Sequence, residues 1–179
     1  MKTINKCIKE WNVIIEALGH GKQTILVRKY RTNKSELLLC PTFTYLTNDS
    51  FSTTFKDNYV DFIRENILPL VAKDKMEIKY FITVEKSIEC SIEDIEKLDD
   101  YYIWTTDHVK SYLKEYTPFV WILRTYKIQK PCVVDRMKGM KYAILNQKIP
   151  IDNLEPVIPD NKFLEISKEI EELISSLKK

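Results

Sequence analysis

The chain has 179 residues, 44% of them hydrophobic and 11% aromatic, which is enough apolar material for one domain spanning residues 1–179 around a real core. With 28 Lys and Arg against 26 Asp and Glu, the net charge of +2 excludes a general attraction to polyanions, so any nucleic-acid argument rests on where charge is placed. Four cysteines, Cys7, Cys40, Cys90 and Cys132, stand far apart with no Cys-x-x-Cys pair and only His20 and His108 to join them, which excludes a zinc-ligand pattern and predicts reduced thiols and no bound metal.

The N-terminus lacks a cleavable apolar stretch, and no run is long enough to span a bilayer, so a cytoplasmic protein without membrane contact is expected. Ile4, Cys7, Ile8, Trp11, Ile14, Ile15 and Leu18 follow helical spacing and predict an amphipathic helix over 4–18, with Trp11 in the core. Gly19 and Gly21 can take positive φ and end that helix at a corner. Residues 23–30 then read as a strand, 31–35 as a polar turn, and 36–40 as a second strand stopped by Pro41, together a hairpin.

Residues 43–55 form a Thr-, Ser- and Asn-rich loop with Phe43, Tyr45, Phe51 and Phe55 on its surface. A short helix from about Asp57 ends at Pro69, and a strand covers 76–84. Ser91 opens a helix with early carboxylates, and Thr105 or Thr106 caps another through Tyr116. Phe119 to Ile128 is the strongest strand, broken by Pro131; 140–145 adds a strand, Pro150, Pro156 and Pro159 keep the next segment extended, and a last helix starts at Asp160 or Asn161. Its apolar stripe is Phe163, Ile166, Ile170, Leu173, Ile174 and Leu177. Interspersed elements without βαβ repeats or a Gly-rich phosphate loop predict an α+β fold with a mainly antiparallel sheet, able to curl toward a barrel and flanked by N- and C-terminal helices.

Charge is segregated: every charge from Lys22 to Lys34 is positive, and between Arg124 and Lys148 only Asp135 is negative. Within these runs Arg28, Tyr30 and Arg31 are echoed by Arg124, Tyr126 and Lys127, an Arg-x-Tyr pair on each of two strands. Arg pairs with phosphate and Tyr stacks on a base, so these six with Lys22, Arg136, Lys138 and Lys141 are the candidate DNA- or RNA-binding residues. Both strands are expected in one sheet, with Arg28 and Arg124 beside a common concavity unless Glu10 or Glu16 takes up Arg28. A rival reading takes Asp61, Asp74, Glu77 and Lys79 as the outline of an Asp…Glu-x-Lys nuclease centre. There carboxylates would hold Mg²⁺, the one cofactor either reading invokes. A structural role through self-association, using the 43–55 loop or the last helix, is the third.

Glu10-Trp11, Ala17-Leu18, Gly21 with Gln23, Leu26-Val27-Arg28-Lys29, Leu38 to Thr42, Ile103-Trp104 and Leu123-Arg124-Thr125-Tyr126 occur in that order over nearly the whole chain. In these stretches it resembles a prokaryotic domain-of-unknown-function family, DUF1802. Members carry Gly-Gly-Ile after the Arg-Lys pair, where this chain has Tyr30-Arg31-Thr32. The resemblance implies a neighbourhood of restriction-modification or defence genes, and with it an accessory role on nucleic acid. Gly21 to Arg28 is also similar in spacing to the Gly-x-Lys-x-x-Glu-x-Arg signature of ASCH domains, which are PUA-like barrels, with Gln23 and Leu26 in place of its Lys and Glu.

Overall fold

The computed structural model describes residues 2–42, 53–68, 71–72, 74–137 and 141–175. Loop aromatics Phe43, Tyr45 and Phe51, together with Lys138 and Leu177, lie outside the described residues. Among the described residues seven strands, β1 (Thr3–Trp11), β2 (Ile25–Arg28), β3 (Glu36–Thr42), β4 (Lys75–Glu89), β5 (Phe119–Asp135), β6 (Tyr142–Pro150) and β7 (Glu155–Pro156), make one sheet of order β2-β5-β4-β3-β1-β6, with β7 on β5. Only β1 and β3 run parallel; the other pairs are antiparallel. Helices α1 (Asn12–Gly19), α2 (Val60–Asn66), α3 (Ile92–Lys97), α4 (Thr106–Leu113) and α5 (Asp160–Ser175) flank it, so the class is α+β, mainly antiparallel and open rather than closed. Among the described residues no helix is long and apolar enough to cross a membrane.

The first half of the expected N-terminal helix is a strand. Ile4, Cys7, Ile8 and Trp11 fit helical spacing, but β1 runs between β3 and β6, pairing Cys7 with Leu38 on one side and with Ala143 on the other. Ladder bonds on both edges outweigh a weak local preference. The helix shrinks to Asn12–Gly19, buried on all sides. It ends as expected: Lys22 N–H donates to Ala17 O (2.9 Å) and Gly21 N–H to Leu18 O (3.2 Å), with Gly21 at φ +67, a left-handed cap. Gly19 serves differently, its missing side chain making room for the Tyr80 ring.

No hairpin joins β2 to β3. β2 pairs with β5, placing Ile25 opposite Ile122 and Arg28 opposite Phe119, while β3 joins β1 and β4. Nor do the prolines end their strands. At Pro41 the β3 ladder continues on the β1 side, since pairing with β4 covers only Glu36 to Leu38. Pro131 sits in an excursion of β5, where the register jumps from Lys127 opposite Tyr80 to Cys132 opposite Ile78.

Caps follow the sequence closely. Ser91 and Asp94 form a reciprocal capping box at α3, and Thr105 Oγ1 accepts from His108 N–H (3.2 Å) at α4. Phe55, expected at the surface, is buried against Trp11 and bridges to Trp104. All four cysteines are free, Cys7 and Cys40 buried and the others half-buried.

Candidate nucleic-acid interface

Glu10 at the end of β1 and Arg28 at the end of β2 form an ion pair with both side chains more than nine-tenths buried. Three strands separate β1 from β2 in the sheet order. In a flat sheet four steps of about 4.8 Å would hold them roughly 19 Å apart, so the pair exists only because the sheet curls until the two strand ends face each other. Its edges draw together as well: Lys141, just before β6, sits with Nζ 3.5 Å from the centroid of Tyr30, just after β2, and Thr32 Oγ1 lies 3.4 Å from the Tyr142 hydroxyl.

α4 and the turn before it cover the mouth of this curl and leave a cavity of about 140 Å³. Glu10 and Trp11 from β1, Val27 and Arg28 from β2, Trp104 from the turn, and His108, Val109 and Tyr112 from α4 line it. Trp11 makes ring contacts with Phe55 (6.1 Å between centroids) and His108 (5.8 Å), which fixes one wall. Glu10 Oε1 accepts from Trp11 N–H (2.8 Å), Arg28 Nη1 donates to Val27 O (3.1 Å), and Nη2 donates to Glu10. Two buried donors on residues of this lining, Arg28 Nε and Trp104 Nε1, have no hydrogen-bond partner among the described residues. A buried donor left unmet costs about 1–3 kcal/mol.

The residues that follow Arg28 set cations on aromatic faces. Lys29 Nζ lies 4.8 and 4.6 Å from the ring centroids of Tyr112 and Tyr116, and the Arg31 guanidinium lies 5.6 Å from that of Phe119. Burial, then the neighbouring Arg28 and Lys29, push the Lys141 ammonium below its ordinary range, while Glu10 opposes them. Burial also favours the phenols of Tyr30 and Tyr112, raising both. Burial alone pushes the His108 imidazole down, toward the neutral ring.

The structure brings Arg28, Tyr30 and Lys141 together here, while Arg31, just beyond, lies over Phe119 and 4.0 Å from Glu89. It does not bring Arg124. That residue is separated from Phe119, the partner of Arg28, by an odd number of positions, so it lies on the other face of β5, roughly 17 Å along at about 3.4 Å per residue. There it pairs with Asp160 and stacks over Phe163 (4.9 Å) and Tyr126 (5.5 Å), fastening α5 to the sheet. The common concavity expected for the two arginines is therefore absent, and Glu10 takes up Arg28. Lys127 is exposed on the same strand beyond Tyr126; Lys22 lies over Phe62 (5.2 Å); Arg136 is at the far end of β5, its N–H on Asp74 O (2.8 Å).

Asp61 is exposed on α2 beside Arg64 (3.4 Å), Asp74 lies exposed in the turn before β4, and Lys79 pairs with the buried Glu16. Glu77 and Lys79 share a cleft with Glu16 and Glu65, but among the described residues no group of three His, Cys, Asp or Glu side chains could hold a metal ion. Trp104, His108 and Tyr112 were not legible as site residues. The only local signal was a capped helix with Val109 and Tyr112 on one face.

A family model described as a domain of unknown function, DUF1802, matches residues 7–169. The chain belongs to that family. The matched span includes β1 from Cys7 onward, strands β2 to β7 and the whole of the cavity lining of this DUF1802 chain. No curated protein matches the chain. Solved structures similar to this DUF1802 chain include ASCH from Zymomonas mobilis, 10% identical, with 96% of this chain and 94% of that chain covered and a TM-score of 0.49. A Ser-to-Ala mutant of the same protein is 9% identical over 79% of this chain and 88% of that chain, also at 0.49. Similarity this low carries no residue correspondences.

Proposed function

We propose that this protein is a nucleic-acid-binding domain that grips a single-stranded segment at the mouth of the curled sheet. The observation that carries this reading is that Lys29 and Arg31, just after β2, and Lys141, just before β6, are each held over an aromatic face, Arg31 also lying 4.0 Å from Glu89. Cations seated on rings are pre-positioned for phosphate, and the same rings offer stacking surfaces for bases. Tyr30 and Arg28 support these cations, Arg28 as the buried anchor of the curl rather than a phosphate ligand. An accessory role beside restriction-modification or defence functions belongs to the reading through the family resemblance alone.

The test is salt-dependent binding of labelled single-stranded RNA and DNA, followed by anisotropy. Three phosphate contacts give a log-log salt slope of about −2 on single strands. Lys29→Ala with Lys141→Ala weakens binding and flattens that slope. Absence of low-salt binding to either strand by the intact protein sinks the reading.

A further inference from the structure

The cleft that holds Glu77 and Lys79 plays no part in nucleic-acid binding as proposed above, and it has chemistry of its own. It is a recess of about 60 Å³ between α1, α2 and β4, lined by Asn12 and Glu16, by Glu65 and Asn66, and by Glu77 and Lys79. Three carboxylates there face one ammonium. Glu16, 3% exposed, is already satisfied: Lys79 Nζ pairs with Oε1, the Tyr80 hydroxyl donates to Oε2 at 3.1 Å, and His20 Nε2 stands 3.7 Å from Oε2. The Glu16–Lys79 pair cancels, so the charge left to the cleft is that of Glu65 and Glu77, neither of which has an ion pair or hydrogen bond among the described residues. A separate observation comes from Asn12, 4% exposed. Its amide nitrogen donates to Asn66 O at 2.7 Å, and no donor among the described residues meets its Oδ1. Nor is that oxygen sealed in as Thr24 Oγ1 and Arg28 Nε are, so the surface it keeps opens on the cleft that Asn12 lines.

We infer that this cleft binds a primary ammonium group on an aliphatic stem, its three N–H groups donating to Glu65, Glu77 and Asn12 Oδ1. An ammonium has three donors and no acceptor, which matches a recess whose unmet polar groups are all acceptors. It also tolerates wider spacing than a metal ion. Mg²⁺ and Ca²⁺ draw their oxygens to about 2.0–2.6 Å, and the acidic side chains here do not converge in that way, whereas an ammonium meets separate carboxylates at about 2.7–2.9 Å. Leu68, 51% exposed on the same lining, gives the stem an apolar surface. About 60 Å³ admits the charged end and the first methylenes, so the rest of the ligand stays outside. Such an end belongs either to a free linear amine or to a lysine of a partner protein.

The experiment titrates the isotope-labelled full chain with propylammonium and with tetramethylammonium at constant ionic strength, followed by amide chemical shifts. Propylammonium is expected to saturate with a Kd on the order of 1 mM, as suits so small a ligand, and to move the side-chain amide signals of Asn12 and Asn66. Tetramethylammonium carries the same charge without N–H groups and is expected to give no saturable shift. Glu65→Gln with Glu77→Gln keeps side-chain size and removes both charges, and is expected to weaken propylammonium binding by about tenfold or more with Tm almost unchanged. Should that variant not fold, the parent's discrimination between the two cations decides the matter. Equal shifts with both cations, or an unchanged affinity in the folded double variant, overturns the site and leaves a diffuse acidic surface. Putrescine and N-acetyl-lysine methylamide, titrated alongside, distinguish the sources: tighter binding of the first assigns the cleft to free amines, and of the second to a partner's lysine.

Discussion

Glu10 and Arg28 lie on strands that three others separate, yet they share a buried ion pair. Removing one partner strands a charge in the cavity wall, whereas removing both leaves an apolar gap. Glu10→Leu alone is expected to lower stability by about 3–5 kcal/mol, and Glu10→Leu with Arg28→Met to recover to within about 2 kcal/mol of the parent. Urea midpoints of the four proteins in the cycle provide the check. A double variant as unstable as the worse single one would mean that the pair is needed for the curl itself.

A Cβ added at Gly19 would fall inside the Tyr80 ring. That ring is also tethered, its hydroxyl donating to Glu16 Oε2 at 3.1 Å, so it cannot swing aside freely. Gly19→Ala is expected to destabilise by about 1–3 kcal/mol through overpacking, and to lower Tm by several degrees. Gly19→Ala with Tyr80→Leu relieves the overlap; no recovery of Tm would place the cost in the backbone instead.

Burial holds the His108 imidazole below its ordinary 6.5 in the folded protein. Between the folded value and 6.5 the unfolded chain therefore binds more protons, and stability falls as pH falls through that window. His108→Gln is expected to show a shallower loss of urea midpoint than the parent between about pH 7 and pH 5. Identical slopes would show that the ring is solvated in the native state.

Arg124 and Lys141 separate the two faces of the molecule. Arg124→Ala removes the clasp to Asp160 and Phe163, so it should loosen α5 and lower Tm with oligonucleotide affinity within about twofold of the parent. Lys141→Ala should instead weaken binding and reduce the salt slope by about 0.7, with Tm almost unchanged. The opposite outcome would move the nucleic-acid surface to the α5 side.

What the sequence determined by itself is local. Ser91 and Thr105 name their helix starts, Gly21 its left-handed turn, and the 163–174 stripe its buried face, because each acts through groups within a few residues. The apolar runs of β2 and β5 likewise announced buried strands of one sheet, and the two pair directly, but β2 stands at the end of the strand order rather than in a central position. Tertiary structure decided the rest. Thr3 to Trp11 is a strand because two distant strands supply its ladder bonds, and Pro41 and Pro131 survive inside strands because the ladder there is one-sided or interrupted. The face on which Arg124 points followed from register, which no local signal encodes. The cavity is the extreme case: its walls come from β1, β2 and α4, and they meet only because the sheet curls far enough for Glu10 to reach Arg28.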